Sequence, residues 1–277
     1  MSTAPAVLRC SVRGCGEVLR EEARRAVCSK GHSFDRARCG YLNLLQPHDV
    51  HSKQPGDLAE VVDARRRWYD TGHAEPLLSA LVGRLSELGI GARSRVLDVG
   101  SGEGSVLGRL QAELACDAWG IDLTVRAVEL AAKRHSVAHF VVANADRELP
   151  FVDGAFDLVL SVNARRNAQE FERVLAPNGM LLIVLPAEDD QHELRELLQG
   201  AGPAIERVSA LRAELEPRFV LRDRRTLRWQ LELDPSALQD LALCGYRGLR
   251  HAQAESLAQR PSLSVTLAQE LLVFTRA

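Results

Sequence analysis

Four side chains near the N-terminus, Cys10, Cys15, Cys28 and His32, form two close pairs, Cys10-x4-Cys15 and Cys28-x3-His32, with twelve residues between them. Each pair places two ligands on one turn, and two such turns close a tetrahedron. Three thiolates and an imidazole suit zinc, at bond lengths of about 2.0–2.3 Å. Because all four positions come from protein, the site reads as structural, with no coordination position left for a substrate. A segment this short buries little core of its own, so the metal acts as its staple. The remaining cysteines, Cys39, Cys116 and Cys244, are scattered and read as small buried hydrophobes of a reducing compartment.

The second chemical feature is Val96-Leu97-Asp98-Val99-Gly100-Ser101-Gly102-Glu103-Gly104, an apolar strand running into a glycine-rich turn. Such a turn lets backbone approach a ligand closely, and the helix after it offers unpaired N–H groups. A dinucleotide fingerprint spaces its glycines G-x-G-x-x-G. Here Gly100, Gly102 and Gly104 are more tightly spaced and follow an acid, Asp98, a pattern closer to the turn that holds the methionine part of S-adenosylmethionine. Ser101 lies inside that turn. Asp122 and Leu123 end the next apolar segment, and an acid at that strand end can accept hydrogen bonds from both ribose hydroxyls. Asn144, Ala145 and Asp146 can line the adenine edge, Leu149-Pro150-Phe151 can wall the pocket, and Asn163 falls beside the transferable methyl. The series recurs at the carboxyl ends of successive predicted strands, where open α/β sheets bind ligands.

The elements that must hold these residues follow from apolar spacing. Asp57 is placed to cap a helix with Leu58, Val61, Val62 and Trp68 on one face, and a second helix follows Pro76 with Leu77, Leu78, Leu81, Val82, Leu85 and Leu88 as its stripe. Strands are predicted at 96–99, 118–121, 139–142, 156–162 and 180–185, alternating with helices at 105–115, 125–135 and 169–175. Pro177-Asn178-Gly179 reads as the stop of the last helix. Parallel strands need crossover helices, so the fold class is α/β: a doubly wound, mostly parallel, seven-stranded Rossmann-like sheet. The tail, ending in the apolar run 263–274, supplies its last strands, and a small zinc-ribbon-like module precedes the sheet. The division expected is a zinc-binding recognition module over residues 1–45, a linker and helices over 46–90, and the cofactor domain over 91–277. Module and domain are read as separate cores, so losing a zinc ligand is expected to spare cofactor binding.

Composition narrows the setting. A hydrophobic share of 46% with 26% charged residues is that of a globular chain. No stretch approaches the roughly 20 apolar residues of a membrane span, and Met1-Ser2-Thr3-Ala4-Pro5-Ala6 lacks a secretory pattern. No membrane partner is expected, and the cytoplasm is the expected compartment. Residues 1–45 carry eight Lys/Arg against four Asp/Glu, giving +4; with a net charge of −2, the rest of the chain carries −6. A basic module on an acidic body fits one that touches phosphate. The docking candidates are Arg13, Arg20, Arg24, Arg25, Lys30, Arg36 and Arg38, with Lys53, and a second group of Arg218, Arg222, Arg224, Arg225 and Arg228.

The zinc knuckles followed by Gly40-Tyr41-Leu42-Asn43-Leu44-Leu45, Pro55-Gly56-Asp57, Ala64-Arg65-Arg66, Gly72-His73 and then the glycine turn form an ordered set. In that order the chain resembles the RlmA-type 23S ribosomal RNA (guanine-N1)-methyltransferases from Cys10 to about Phe156. The resemblance implies one structural zinc, S-adenosylmethionine, and methylation of a guanine in a ribosomal RNA hairpin. It further implies a homodimer gripping RNA between zinc modules and catalytic domains, and, for some members, macrolide resistance. The chain departs from the family pattern on the substrate side. Gly72-His73-Ala74 stands for Gly-His-Tyr, and Asn163-Ala164-Arg165-Arg166 replaces an Ala-Pro element. The sequence singles out no general base for the N1 proton. Two alternatives stay open at this stage: the same scaffold methylating a small metabolite or peptide, and a zinc-bearing RNA- or protein-binding module without chemistry.

Overall fold

A computed structural model describes residues 7–47, 56–200, 206–245, 257, 259 and 261–277. Lys53, most of the predicted linker and Tyr246–Arg250 lie outside the described residues.

The N-terminal module is a three-stranded antiparallel sheet of β1 (Leu19–Glu21), β2 (Arg25–Cys28) and β3 (Ser33–Asp35). Next comes β4 (Leu42–Asn43), which leaves the module and pairs in parallel with the edge of the large sheet. Two helices follow, α1 (Ala59–Asp70) and α2 (Glu75–Glu87). The α/β body then runs β5 (Arg95–Val99), α3 (Ser105–Leu114), β6 (Asp117–Asp122), α4 (Val125–Arg134), β7 (His139–Val142), β8 (Phe156–Val162), α5 (Ala168–Val174) and β9 (Leu175–Pro186). Helices α6 (His192–Gln199) and α7 (Val208–Leu215), strand β10 (Phe219–Leu233), helix α8 (Pro235–Gly245) and strand β11 (Leu263–Arg276) complete it.

The large sheet has the order β10-β11-β9-β8-β5-β6-β7-β4, with every pairing parallel except those of β11, which runs antiparallel to both β9 and β10. It carries the seven expected strands, and β4 makes an eighth. The chain leaves β5 in one direction toward β6 and β7, then returns on its other side to β8. The gap between β5 and β8 is therefore a switch point, with room for a ligand above the carboxyl ends. Among the described residues no helix is long and apolar enough to cross a membrane.

Three local expectations need correction. Asp57 does not cap α1; its carboxylate accepts from Arg65 Nη2 at 2.8 Å, and Leu58 sits at the cap without a side-chain bond. Pro177-Asn178-Gly179 lies within the span of β9, because Leu175 already pairs with Phe156 across an irregular register. The long strand β10 was expected only as part of the tail, without bounds of its own. Its outward arginines disguised it as a basic segment.

The largest correction concerns the two cores. Val7, Leu8, Cys10, Leu19, Ala26, Cys28, Phe34, Leu42 and Leu44 belong to one buried apolar cluster with Leu97, Val99, Trp119, Ile121 and Phe151 of the α/β body. Backbone bonds fix that union. Arg9 N–H donates to Pro150 O at 3.0 Å, Val152 N–H to Val7 O at 2.9 Å, and Leu44 N–H to Val142 O at 2.9 Å. The Arg9 guanidinium also pairs with Glu148. A segment of so few residues cannot bury its apolar faces alone, so it buries them on the sheet.

Candidate cofactor and metal sites

The four zinc candidates meet. Their ligand atoms all lie within 4.8 Å of one another. Cys15 Sγ is 3.9 Å from Cys28 Sγ, while His32 Nδ1 is 3.4 Å from Cys10 Sγ and 3.5 Å from Cys28 Sγ. A tetrahedron with the bond lengths of zinc has S···S edges of about 3.8 Å and S···N edges of about 3.6 Å. The donor set and its spacing therefore fit zinc, with four protein ligands and no open position.

The cofactor turn sits where β5 ends. Gly100 and Ser101 N–H both donate to Ile121 O, at 2.8 and 3.0 Å, which ties the turn to the neighbouring strand β6. Asp122 ends β6. One of its carboxylate oxygens accepts from Gly102 N–H at 3.0 Å and the other from Thr124 N–H at 2.8 Å. Asp122 thus holds the turn as well as facing the space beyond it. Gly102 has φ +55°, and a Cβ there would come 3.4 Å from Arg65 Nη1. The left-handed backbone is what favours glycine here; the contact with Arg65 is an ordinary one.

Above the turn lies one cavity of about 1300 Å³. Asp98, Gly100, Ser101, Gly102, Asp122, Leu123, Asn144, Ala145, Asp146 and Asn163 line it, as the sequence expected. Gly104 does not. It opens α3 with φ +84°, and a Cβ there would meet Ala131 Cβ at 2.8 Å, so this glycine serves the packing of α3 on α4. The volume exceeds the 300–1,000 Å³ of ordinary small-ligand pockets. One cofactor would leave space for a second reactant.

Two polar atoms at the turn fit a ligand. Asp98 Oδ1 and Ser101 Oγ are buried and have no hydrogen-bond partner among the described residues. Burial, then the charges of Asp122 and Glu103, pushes the Asp98 carboxyl up to about 8. A cation bound beside it would reverse that shift, and S-adenosylmethionine brings both an ammonium and a sulfonium. Binding should then release a proton. Cofactor affinity is expected to rise from pH 6 to pH 8 and level off above about 8, where Asp98 is already ionised. Asp98→Asn should flatten that profile. Titration calorimetry in buffers of different ionisation enthalpy reads the proton directly, and a profile unchanged by the substitution would remove Asp98 from the cofactor site.

Sequence reasoning missed the rest of the cavity wall. Arg65, Trp68 and Tyr69 of α1 line it, with Cys244 and Gly245 at the end of α8. A bidentate pair from Arg67 Nε and Nη2 to Asp240, at 2.9 and 2.6 Å, holds α8 against α1. Burial works against the charge of Arg65, but the Asp57 carboxylate outweighs it and holds the guanidinium above its ordinary range. The Ala64-Arg65-Arg66 element was a signal for this residue. Asp190 and Gln269 also line the cavity. A buried glutamine inside the apolar run 263–274 was a signal that went unread.

The second basic group is already partnered. Arg218 pairs with Glu172 at 2.8 Å, Arg225 with Glu87 at 2.8 Å, and Arg228 with Asp189 at 2.8 Å. Arg224 forms a bidentate pair with buried Glu270, and Arg222 Nε donates to Thr275 Oγ1. Four of these arginines thus meet carboxylates on the fold, while Arg222 meets only a hydroxyl.

Residues 8–53 match the family described as RlmA, N-terminal, and residues 96–179 match the methyltransferase domain. A 23S rRNA (guanine(748)-N(1))-methyltransferase of Streptomyces fradiae is 36% identical over 256 residues, covering 91% of this chain and 89% of that protein. The chain belongs to the RlmA-type 23S rRNA (guanine-N1)-methyltransferase family. Its membership settles the cofactor as S-adenosylmethionine and the metal as zinc. A demethylmenaquinone methyltransferase of Tropheryma whipplei is 35% identical over only 106 residues, 35% of this chain and 43% of that one. The cofactor half alone therefore does not set RlmA-type enzymes apart; the zinc ribbon does. The YcgJ protein of Bacillus subtilis superposes with a TM-score of 0.53 at 18% identity, over 71% of this chain and 96% of that chain, which supports the fold.

Proposed function

We propose that the protein transfers a methyl group from S-adenosylmethionine to N1 of a guanine in 23S ribosomal RNA. The observation that carries this is the 36% identity across 91% of the chain, which spans the zinc module and the sheet together. The division of labour proposed is a recognition module over residues 1–45, helices through residue 90, and a methyltransferase domain from 91 onward. The cytoplasm is the proposed compartment and a homodimer the proposed assembly.

Bound in the cavity, S-adenosylmethionine supplies an electrophilic methyl on a good thioether leaving group. The chain's residues supply position and charge, which carry most of such a transfer. Asp98 and the turn Gly100–Gly102 would hold the methionine part, and Asp122 the ribose. Asn144, Ala145 and Asp146 would hold the adenine edge. In the reaction the guanine N1–C bond forms as the C–S bond breaks, and the N1 proton leaves to an acceptor or to water. Tyr69 and Trp229, both half-buried on the wall, would offer stacking faces to a base splayed out of a hairpin. The test is incubation of the purified protein with labelled cofactor and a ribosomal hairpin. N1-methylguanine cannot form a Watson–Crick pair, so reverse transcription should stop at the modified base. Label without that stop would move the methyl elsewhere, and transfer to small metabolites alone would replace the reading.

The zinc module is the proposed RNA-docking face, and its ion pairs sort the candidates. Glu22 engages Arg20 and Arg25, Glu17 engages Lys30, and Glu21 engages Arg36. Arg13, Arg24 and Arg38 are exposed and have no ion-pair partner among the described residues. Reversing the charge of these three together should raise the Michaelis constant for the hairpin roughly tenfold or more and make its salt dependence shallower. Cofactor affinity should stay unchanged. Equal Michaelis constants at every salt concentration would leave the module a structural role only.

A further inference from the structure

On the cavity wall that adjoins the cofactor turn, three side chains form a chain of hydrogen bonds. Asp190, in the loop after β9, is 6% exposed. Its Oδ1 accepts from Ala268 N–H at 2.8 Å and from Gln269 Nε2 at 3.3 Å. Gln269, on β11 opposite Pro186 at the end of β9, is also 6% exposed. Its other amide atom, Oε1, accepts from Asn163 Nδ2 at 3.2 Å. Asn163 ends β8 at φ +52°, a left-handed conformation that asparagine tolerates better than most residues. The next residue, Ala164, packs on the cofactor turn so closely that a Cβ on Gly100 would lie 2.5 Å from its own Cβ. Asn163 is thus fixed beside the turn, exposed on the cavity wall.

An isolated amide can turn end for end, and nothing in its shape says which end carries oxygen. Here the chain decides. A carboxylate only accepts, so Gln269 must offer its NH2 to Asp190. Its oxygen then faces Asn163, which must answer with its own NH2. What remains of Asn163 is its carbonyl oxygen, Oδ1, and no described residue donates to it. The Asp190 charge is therefore translated, through two amides, into a hydrogen-bond acceptor on the cavity wall.

An acceptor in that place discriminates among bases. Guanine presents two donors on its Watson–Crick edge, N1–H and the 2-amino group, whereas adenine presents an acceptor at N1. The direction of N1–H is also the line along which the methyl must arrive, so a lasting contact cannot occupy it. The 2-amino group lies to one side and keeps its protons throughout. We propose that Asn163 Oδ1 accepts a hydrogen bond from the 2-amino group of the target guanine, with Gln269 and Asp190 as positioning residues that fix the amide. This assignment rests on guanine N1 as the acceptor of the methyl.

The experiment compares full-length parent and variants on two hairpins that differ at the target base only, guanosine or inosine. Inosine keeps N1–H and O6 but lacks the 2-amino group. The parent should prefer guanosine by about tenfold or more in kcat/KM, the effect of leaving one buried acceptor unpaired. Asn163→Leu and Gln269→Leu should lower the rate on guanosine to about that on inosine, so that the preference falls to near one. Cofactor affinity should remain within about twofold of the parent. A parent that methylates both hairpins equally overturns the assignment, as do leucine variants that slow both hairpins by the same factor. A parent that leaves N1 of guanosine unmethylated overturns the function proposed above and this assignment with it.

Discussion

Cys28→Ser, or removal of the metal by a chelator, should lower the melting temperature of the whole chain by roughly 10 °C or more, in one cooperative transition. Cys28 is buried in the same apolar cluster as Leu97 and Val99, the strand that presents the cofactor turn. Phe151 joins the two sides. Its ring meets Trp119 edge-on at 6.0 Å and Phe156 at 5.0 Å, and Leu8 bridges to its backbone. A structural zinc supplies roughly 10–16 kcal/mol in small zinc domains. A third of that is about 4 kcal/mol, and at roughly 2–4 °C per kcal/mol for a chain of this size the shift follows. Cofactor affinity should fall too, because the loop bearing Asn144 is continuous with the segment the module covers. Calorimetry and cofactor titration on the same samples check both. Two separate transitions, the upper one at the parent temperature with unchanged cofactor affinity, would restore two independent cores.

Asp122→Ala should weaken S-adenosylmethionine binding by about 1.5–3 kcal/mol, roughly 10- to 150-fold. The carboxylate is assigned to the ribose, and it also anchors Gly102 and Thr124 N–H. Both losses act in one direction. Gly102→Val should remove measurable binding. Valine resists φ +55°, and its side chain would occupy space where the backbone must meet the ligand. Titration calorimetry separates the cases, with a weakened isotherm for the first variant and no heat for the second. Unchanged affinity in both would place the cofactor elsewhere.

How much of this could be read from the sequence differs by element. Strands β7 and β8 have the predicted ends, because buried parallel strands are plain apolar runs between turns. The zinc ligands were legible because metal chemistry demands particular residues at short spacing. That most of the cofactor candidates share one cavity was legible for a related reason: they follow strands in order. Asp190 and Gln269 were not, because their meaning lies in a contact between residues 79 positions apart. The ion pairs of Arg218 and of the β10 arginines were hidden for the same reason: their partners Glu172, Glu87, Asp189 and Glu270 lie far away in sequence.

The short strand β4 has a mechanical meaning. A module on a flexible tether sweeps a volume, and its help to binding is an effective concentration set by linker length. A module hydrogen-bonded into the edge of the sheet, with Leu42 and Asn43 in register with Val141 and Val142, sweeps none. Any phosphate held by Arg13, Arg24 or Arg38 is held at one distance from the cavity. With RNA docked as proposed, the protein would act as a caliper: an RNA whose stem and target base are spaced to that gap would gain both contacts at once, and one spaced differently would give up either the grip or the reach.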